Sequence, residues 1–282
     1  MVQLLRLATA DARLGGPLVS DEPLLPEPTR RLVLLGASNL TRAIGTVVAT
    51  AGTAWNEPLD VLAAMGFGRS YGMRTALLVR GLPSILGCGL WQAMRERPEL
   101  PTTALITDIG NDVLYHAPPA QIADWVRQCV DRLERFGARV VITQLPVCNF
   151  AALARWRYLF FRTVFMPMCR LPRDETVERA TDLNERVEQL ARERGIPLIE
   201  QNPAWYGLDP IHIRRAHWPV AWGKILLPMM DNGATIAAAQ RAAWFGVRLQ
   251  AIAPDERSLF RATFRRAQPA LACRNGTRIS IF

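Results

Sequence analysis

Hydrophobic residues fall along this chain in short blocks of two kinds. Five runs of strand length, bounded by Gly, Pro or Asn, are apolar on successive positions: 31–36 (RLVLLG), 59–66 (LDVLAAMG), 102–110 (TTALITDIG), 138–146 (ARVVITQLP) and 196–202 (IPLIEQN). Between them lie segments with helical periodicity. Residues 119–137 carry Ile122, Trp125, Cys129, Leu133 and Phe136 on one stripe and stop at Gly137. Residues 174–195 carry Val177, Ala180, Leu183, Val187 and Leu190 in the same way, and 39–52 and 84–94 are read as further helices. Strands apolar on both faces, joined by crossover helices, predict a parallel sheet covered on both sides. The expected fold class is therefore α/β, with a five-stranded parallel sheet and helices on both of its faces.

Residues 1–30 read as an N-terminal leader, rich in Pro, Gly and acids from position 15. The α/β pattern occupies 31–213. Residues 214–282 form a C-terminal appendage expected to pack on it, with a helix-like stretch at 234–249 and a hairpin turn at Asn275-Gly276. A two-residue turn there puts Ala270, Ala272, Ile279 and Ile281 on one face. That face has to be buried, against the domain or against a second copy of the chain, so a homo-oligomer formed through the hairpin is one expectation.

In a sheet of this kind, sites form at the carboxyl ends of the strands. Ser38 follows the first strand, Gly66 to Ser70 the second, and Asp108 to Asp112 the third; Asp209 and His212 come after the fifth. Ser38 alone fits a helix cap. A serine becomes a nucleophile when a base accepts its proton and an acid orients that base. Of the histidines His116, His212 and His217, only His212 has a carboxylate three residues before it, Asp209 in GLDPIH. Donors for a developing oxyanion exist at the same edge: the Ser38 N–H at a helix start, a backbone N–H at Gly68 in GFGRS, and the Asn111 amide in DIGND.

These motifs, in this order, resemble the SGNH (GDSL-type) hydrolase superfamily. GASN stands at its nucleophile motif, GFGRS at its glycine turn, GND at its asparagine motif and DPIH at its Asp-x-x-His. The resemblance covers roughly residues 31–213. It implies a three-layer α/β/α, flavodoxin-like fold and serine ester hydrolysis, with Ser38, Asp209 and His212 as the triad and Ser38, Gly68 and Asn111 as the oxyanion hole. The chain departs from the family pattern at Ala37 and Asn39, which flank the serine, and at Ile109, where the family has glycine. Asn39, Phe67, His116, Phe160 and Phe161 are the candidate substrate-contacting residues.

Phe160 and Phe161 belong to residues 149–173, the most aromatic stretch of the chain, which arginines interrupt throughout. Such a segment suits a lid over an acyl pocket, a helix lying on a membrane surface, or a helix packed on the core with its arginines in water. Two other functions share the motif set: a non-catalytic basic protein that binds a membrane surface or an acidic partner, and an acyltransferase using the same acyl-enzyme.

Composition narrows the partners. The net charge is +9, but Lys224 is the only lysine among 34 basic residues and the arginines are dispersed, so no nucleic acid is expected. The five cysteines are scattered, with neither disulfide nor metal-ligand spacing. GASNLT lacks the three-glycine dinucleotide pattern. No metal or other cofactor is expected. The substrate class is a small-molecule or lipid-like acyl ester. No apolar run is long enough to span a bilayer, and the first residues lack a continuous signal-peptide core. The expected location is cytoplasmic, with peripheral membrane contact.

Overall fold

A computed structural model of the chain describes residues 25–77, 80–166, 169–230, 249–250, 252–259 and 262–282. Most of the leader and nearly all of the 234–249 helix expected from the sequence lie outside the described residues.

The five expected strands form and pair in one sheet. They are β1 (Arg30–Leu35), β2 (Leu59–Ala64), β5 (Thr102–Ile106), β6 (Arg139–Thr143) and β7 (Leu198–Ile199), adjacent as β2-β1-β5-β6-β7 and all parallel. Alternation along each strand sorts its side chains into two cores. Val33 and Leu35 of β1 join Leu62, Ala104 and Ile106 under helices α2 (Leu90–Glu96), α4 (Pro119–Arg135) and α7 (Arg173–Arg194). Leu32 and Leu34 join Val61, Ala63 and Leu105 under α1 (Ser38–Trp55) and α8 (Trp218–Leu226). The three layers follow from this division.

Among the described residues the central sheet has seven strands, two more than the sequence pattern predicts. The C-terminal hairpin, β10 (Leu271–Ala272) and β11 (Arg278–Ile281), completes it, with β11 parallel to β2. The buried face of this hairpin differs from the expected one. Ile279 pairs with Leu271, and Cys273 donates its N–H to the Thr277 carbonyl, so the loop has three residues with Gly276 at φ 83°. That one-residue difference in register flips the faces. Leu271 stands with Ile279 and Ile281, while Ala272 is exposed. Across the lower edge, buried Asp60 accepts from Arg31 at 2.9 Å and from Arg97, which also reaches the Ser280 hydroxyl at 2.7 Å. These bonds tie β11 to the strands beside it.

A second sheet, not anticipated, is antiparallel and formed by β3 (Thr75–Leu77), β4 (Arg80–Leu82), β8 (Glu256–Leu259) and β9 (Ala262–Arg265). The short helices α3 (Asn111–Leu114) and α5 (Val147–Ala151) follow the ends of β5 and β6. The arginine-rich aromatic segment forms α6 (Arg155–Phe165), whose residues Trp156, Leu159, Phe160 and Val164 face solvent while Tyr158 is buried.

Candidate active site

α1 begins immediately past the end of β1, and how its first turn is capped bears on the role of Ser38. The N-cap position is Ala37, which has no side chain able to accept a hydrogen bond. The acceptor comes from another strand. Asp108, just beyond β5, takes the Ala37 N–H at 2.9 Å and the Leu40 N–H at 3.1 Å through Oδ2. Leu40 is the third helical residue, the position an N-cap side chain ordinarily serves. A carboxylate there also faces the positive end of the helix dipole. The serine hydroxyl is thereby released from capping.

That hydroxyl meets His212 instead. Ser38 Oγ lies 3.0 Å from His212 Nε2, and His212 Nδ1 lies 2.6 Å from Asp209 Oδ2. The Asp-x-x-His spacing works because the other oxygen of Asp209 folds the loop around itself. Its Oδ1 accepts the N–H of Ile211 at 3.0 Å and of His212 at 3.2 Å, an Asx-type turn that aims the imidazole at the carboxylate. Burial works against ionisation of Asp209, but the hydrogen bond and charge of His212 and these two N–H groups outweigh it, holding the carboxyl below its usual range. His212 itself is buried.

Asn39 ties the two halves together. Its Nδ2 donates to Asp108 Oδ1 at 2.9 Å and to the Ile211 carbonyl at 2.8 Å, and its Oδ1 accepts the Ile213 N–H at 2.9 Å. The residue after the serine thus clamps the histidine loop to the start of α1. It borders the site, with its amide engaged by protein groups.

The glycine turn and the asparagine loop close the site from the other side. Gly68 has φ 65°, and a Cβ there would come within 2.7 Å of the Tyr115 hydroxyl, which donates to the Gly68 carbonyl at 2.5 Å. Glycine is needed there for the backbone conformation and for the close approach. Burial, and then the charge of Asp112, push the Tyr115 phenol up to about 12, so it stays a donor. Tyr71 joins the ends of β1 and β5, its hydroxyl lying 2.6 Å from the Thr107 carbonyl and 3.2 Å from that of Leu35.

Two openings flank the serine. A narrow one of about 50 Å³ is lined by Ser38, Asn39, Asn111, Leu145 and Tyr206 among others. A wider cavity of about 290 Å³ is lined by Ser38, Arg42, Phe67, Gly68, Asn111, Leu114, Met166, Asp209, Ile211 and His212. The structure therefore gathers Ser38, Gly68, Asn111, Asp209, His212 and Phe67 around one space. His116, Phe160 and Phe161 are not part of it. His116 is exposed and its Nε2 accepts the Arg170 N–H at 3.3 Å. Phe160 lies on the outer stripe of α6 and packs edge-on against Phe161.

Sequence reasoning placed Asp108 at a strand end without giving it a task, and overlooked Arg42. The signal for Asp108 was an acid level with a helix start that has no cap of its own. For Arg42 it was the four-residue spacing from Ser38 on one helix. Among the described residues no group of three or more His, Cys, Asp or Glu is placed to hold a metal ion. No helix among them is long and apolar enough to cross a membrane.

No protein-family model matches the sequence, nor does any curated protein. Structural neighbours of this chain include GDSL-like lipolytic proteins and an esterase. A GDSL-like lipase from Bacteroides thetaiotaomicron is 14% identical, with 73% of this chain and 91% of that one covered at a TM-score of 0.46. The psychrotrophic esterase EstA from Pseudoalteromonas sp. is 13% identical, with 70% and 96% covered at 0.43. A member of the lipolytic G-D-S-L family from Veillonella parvula is 12% identical, with 70% and 97% covered at 0.44.

Asp112, next to Asn111, supplies a test of how the asparagine loop is held. It is fully buried; Oδ2 accepts the Tyr71 N–H at 3.0 Å, and Oδ1 has no partner among the described residues. Burial pushes its carboxyl from 3.8 up to about 6, against the hydrogen bonds from Ser70 and Tyr71. A raised folded-state value means that the folded protein holds the proton more tightly than the unfolded chain. The stabilisation from this group is complete below the unfolded value and is lost as pH rises through about 6. Two units correspond to roughly 3 kcal/mol. Urea melts from pH 4 to 7 should show this loss in the wild type and a flatter profile in Asp112→Asn. Equal slopes in the two proteins would contradict the assignment.

Proposed function

We propose that the protein is a divergent SGNH-type serine esterase that hydrolyses a carboxylic ester with a short acyl chain. The observation that carries this reading is the unbroken chain from Ser38 Oγ to His212 Nε2 and from His212 Nδ1 to Asp209. It is joined by the capping of α1 through Asp108, which leaves the hydroxyl no structural task.

In this mechanism His212 Nε2 takes the Ser38 proton as Oγ bonds to the ester carbonyl carbon. The carbonyl oxygen becomes an oxyanion, and the N–H groups of Ser38 and Gly68 and the Asn111 side-chain amide are its donors. Collapse of the tetrahedral intermediate breaks the bond to the alcohol oxygen, which leaves with the proton from His212. Water then adds to the acyl-enzyme, giving its proton to His212, and the acid departs as Ser38 recovers its hydrogen. Asp209 stays ionised throughout and steadies the imidazolium. The Asn111 amide, with no hydrogen bond to any described residue, is available for the oxyanion, and it borders both openings.

Acyl length follows from the space. The openings next to Ser38 measure about 50 and 290 Å³, and Phe160 and Phe161 line neither. Hydrolysis of 4-nitrophenyl esters from two to sixteen carbons should peak at the short end, with Asn111→Ala slower by about 10²- to 10³-fold. Failure of folded protein to cleave any ester in the series would count against the esterase reading. A wild-type rate in Asn111→Ala would remove that amide from the oxyanion hole.

A further inference from the structure

The wider cavity beside Ser38 contains a positive charge that no described residue answers. Arg42 sits four residues after Ser38 on α1, one turn along and on the same side of the helix. It lines the cavity with Phe67, Gly68, Asn111 and His212. The only carboxylate in that lining is Asp209, which is occupied by His212 at 2.6 Å. The one hydrogen bond of Arg42 outside its own helix is through its backbone carbonyl, which accepts from Gln250; its guanidinium has no partner among the described residues. Among the other described arginines, Arg31 and Arg97 are matched by Asp60 and Arg179 by Glu175, while buried Arg69 donates to the Met65 and Phe282 carbonyls and half-buried Arg132 to that of Leu86.

A guanidinium stays charged at any working pH, and its planar fork suits a carboxylate or phosphate held through two parallel hydrogen bonds. An unmatched charge in a partly desolvated cleft costs free energy that an anionic ligand returns. The rest of the cavity wall is apolar at Phe67, Leu114, Met166 and Ile211. Resting on the reading of Ser38 as nucleophile, we propose that Arg42 selects the substrate: an ester that bears an anionic group, carboxylate or phosphate, a short apolar spacer from the scissile carbonyl. Cβ atoms four residues apart on a helix are about 5–6 Å from each other, which sets the spacer at roughly two to four carbons.

The test uses matched esters, each corrected for spontaneous hydrolysis. 4-Nitrophenyl hexanoate against mono-4-nitrophenyl adipate places the anion on the acyl side. Phenyl acetate against 4-acetoxybenzoate, and against 4-acetoxyphenyl phosphate, places a carboxylate or a phosphate on the leaving-group side. In the wild type, at least one anionic member should exceed its neutral partner in kcat/KM by about tenfold or more, mainly through KM, and the preference should shrink at high salt. Arg42→Gln should bring that ratio close to one, and Arg42→Lys should keep part of it. Ratios at or below one in every wild-type comparison would overturn the proposal without recourse to a variant. So would a preference that survives intact in Arg42→Gln. Failure to cleave neutral and anionic members alike would sink the esterase reading itself, an outcome distinct from loss of selectivity.

Discussion

Replacing His212 by alanine is expected to lower turnover of a short-chain ester by about 10⁴- to 10⁶-fold. Ser38 as an unassisted alcohol holds its proton near neutral pH and is a weak nucleophile. The imidazole, with Nε2 3.0 Å from Oγ, is the group placed to take that proton and later to hand it to the departing alcohol. Removing it leaves the oxyanion donors and the cleft, which retain only a residual acceleration. Asp209→Asn should cost less than His212→Ala and still orders of magnitude, because an amide at that position no longer favours the tautomer with Nδ1 protonated. Steady-state rates of the two variants, with circular dichroism to confirm folding, check both statements. A His212→Ala protein within tenfold of wild type would mean that Ser38 is not activated by this residue.

A second large effect, on rate and stability together, should come from Asp108, which holds the serine turn in place. Asp108→Ala removes the acceptor for the Ala37 and Leu40 N–H groups and for the Asn39 amide. Those donors face the end of a packed sheet, and each one left without a partner costs on the order of 1–3 kcal/mol. The same bonds hold the serine turn against the histidine loop, since Asn39 also grips Ile211 and Ile213. A shift of the reacting atoms by an ångström or so costs about 10² in rate. Asp108→Ala should therefore lower kcat about 100-fold with little change in KM, together with a lower unfolding midpoint, while Asp108→Asn, which keeps one acceptor oxygen, should recover part of both. Unchanged kcat in a destabilised Asp108→Ala protein would assign the residue to stability alone.

Much of this site was legible in the sequence because its chemistry is local or lies at predictable strand ends. Asp209 and His212 are three residues apart in one loop, and Ser38 follows an apolar run that can only be an inner strand. The helices α4 and α7 ended near Gly137 and Gly195, both of which adopt left-handed φ in the structure. What the sequence left open was set by partners far along the chain. That Ser38 does not cap α1 follows from Asp108, seventy residues away, which accepts the Ala37 and Leu40 N–H groups, and no local pattern reveals that a helix borrows its cap. Strand β11 joins the sheet through β2, with the Leu59 N–H on the Thr277 hydroxyl across more than two hundred residues. The hairpin itself was recognisable from Asn275-Gly276, but its register depended on whether Gly276 closes a two- or a three-residue loop, and the face followed from that. The small antiparallel sheet has strands too short for periodicity to register.

The central claim is that Ser38 is an activated nucleophile. Incubating the folded protein with a small fluorophosphonate and mapping the adduct by mass spectrometry tests it without knowledge of the natural substrate. One phosphonyl group per chain, confined to Ser38 and absent from the Ser38→Ala and His212→Ala proteins, is the result this account predicts. No adduct on folded wild-type protein, or labelling that persists in Ser38→Ala, would contradict it.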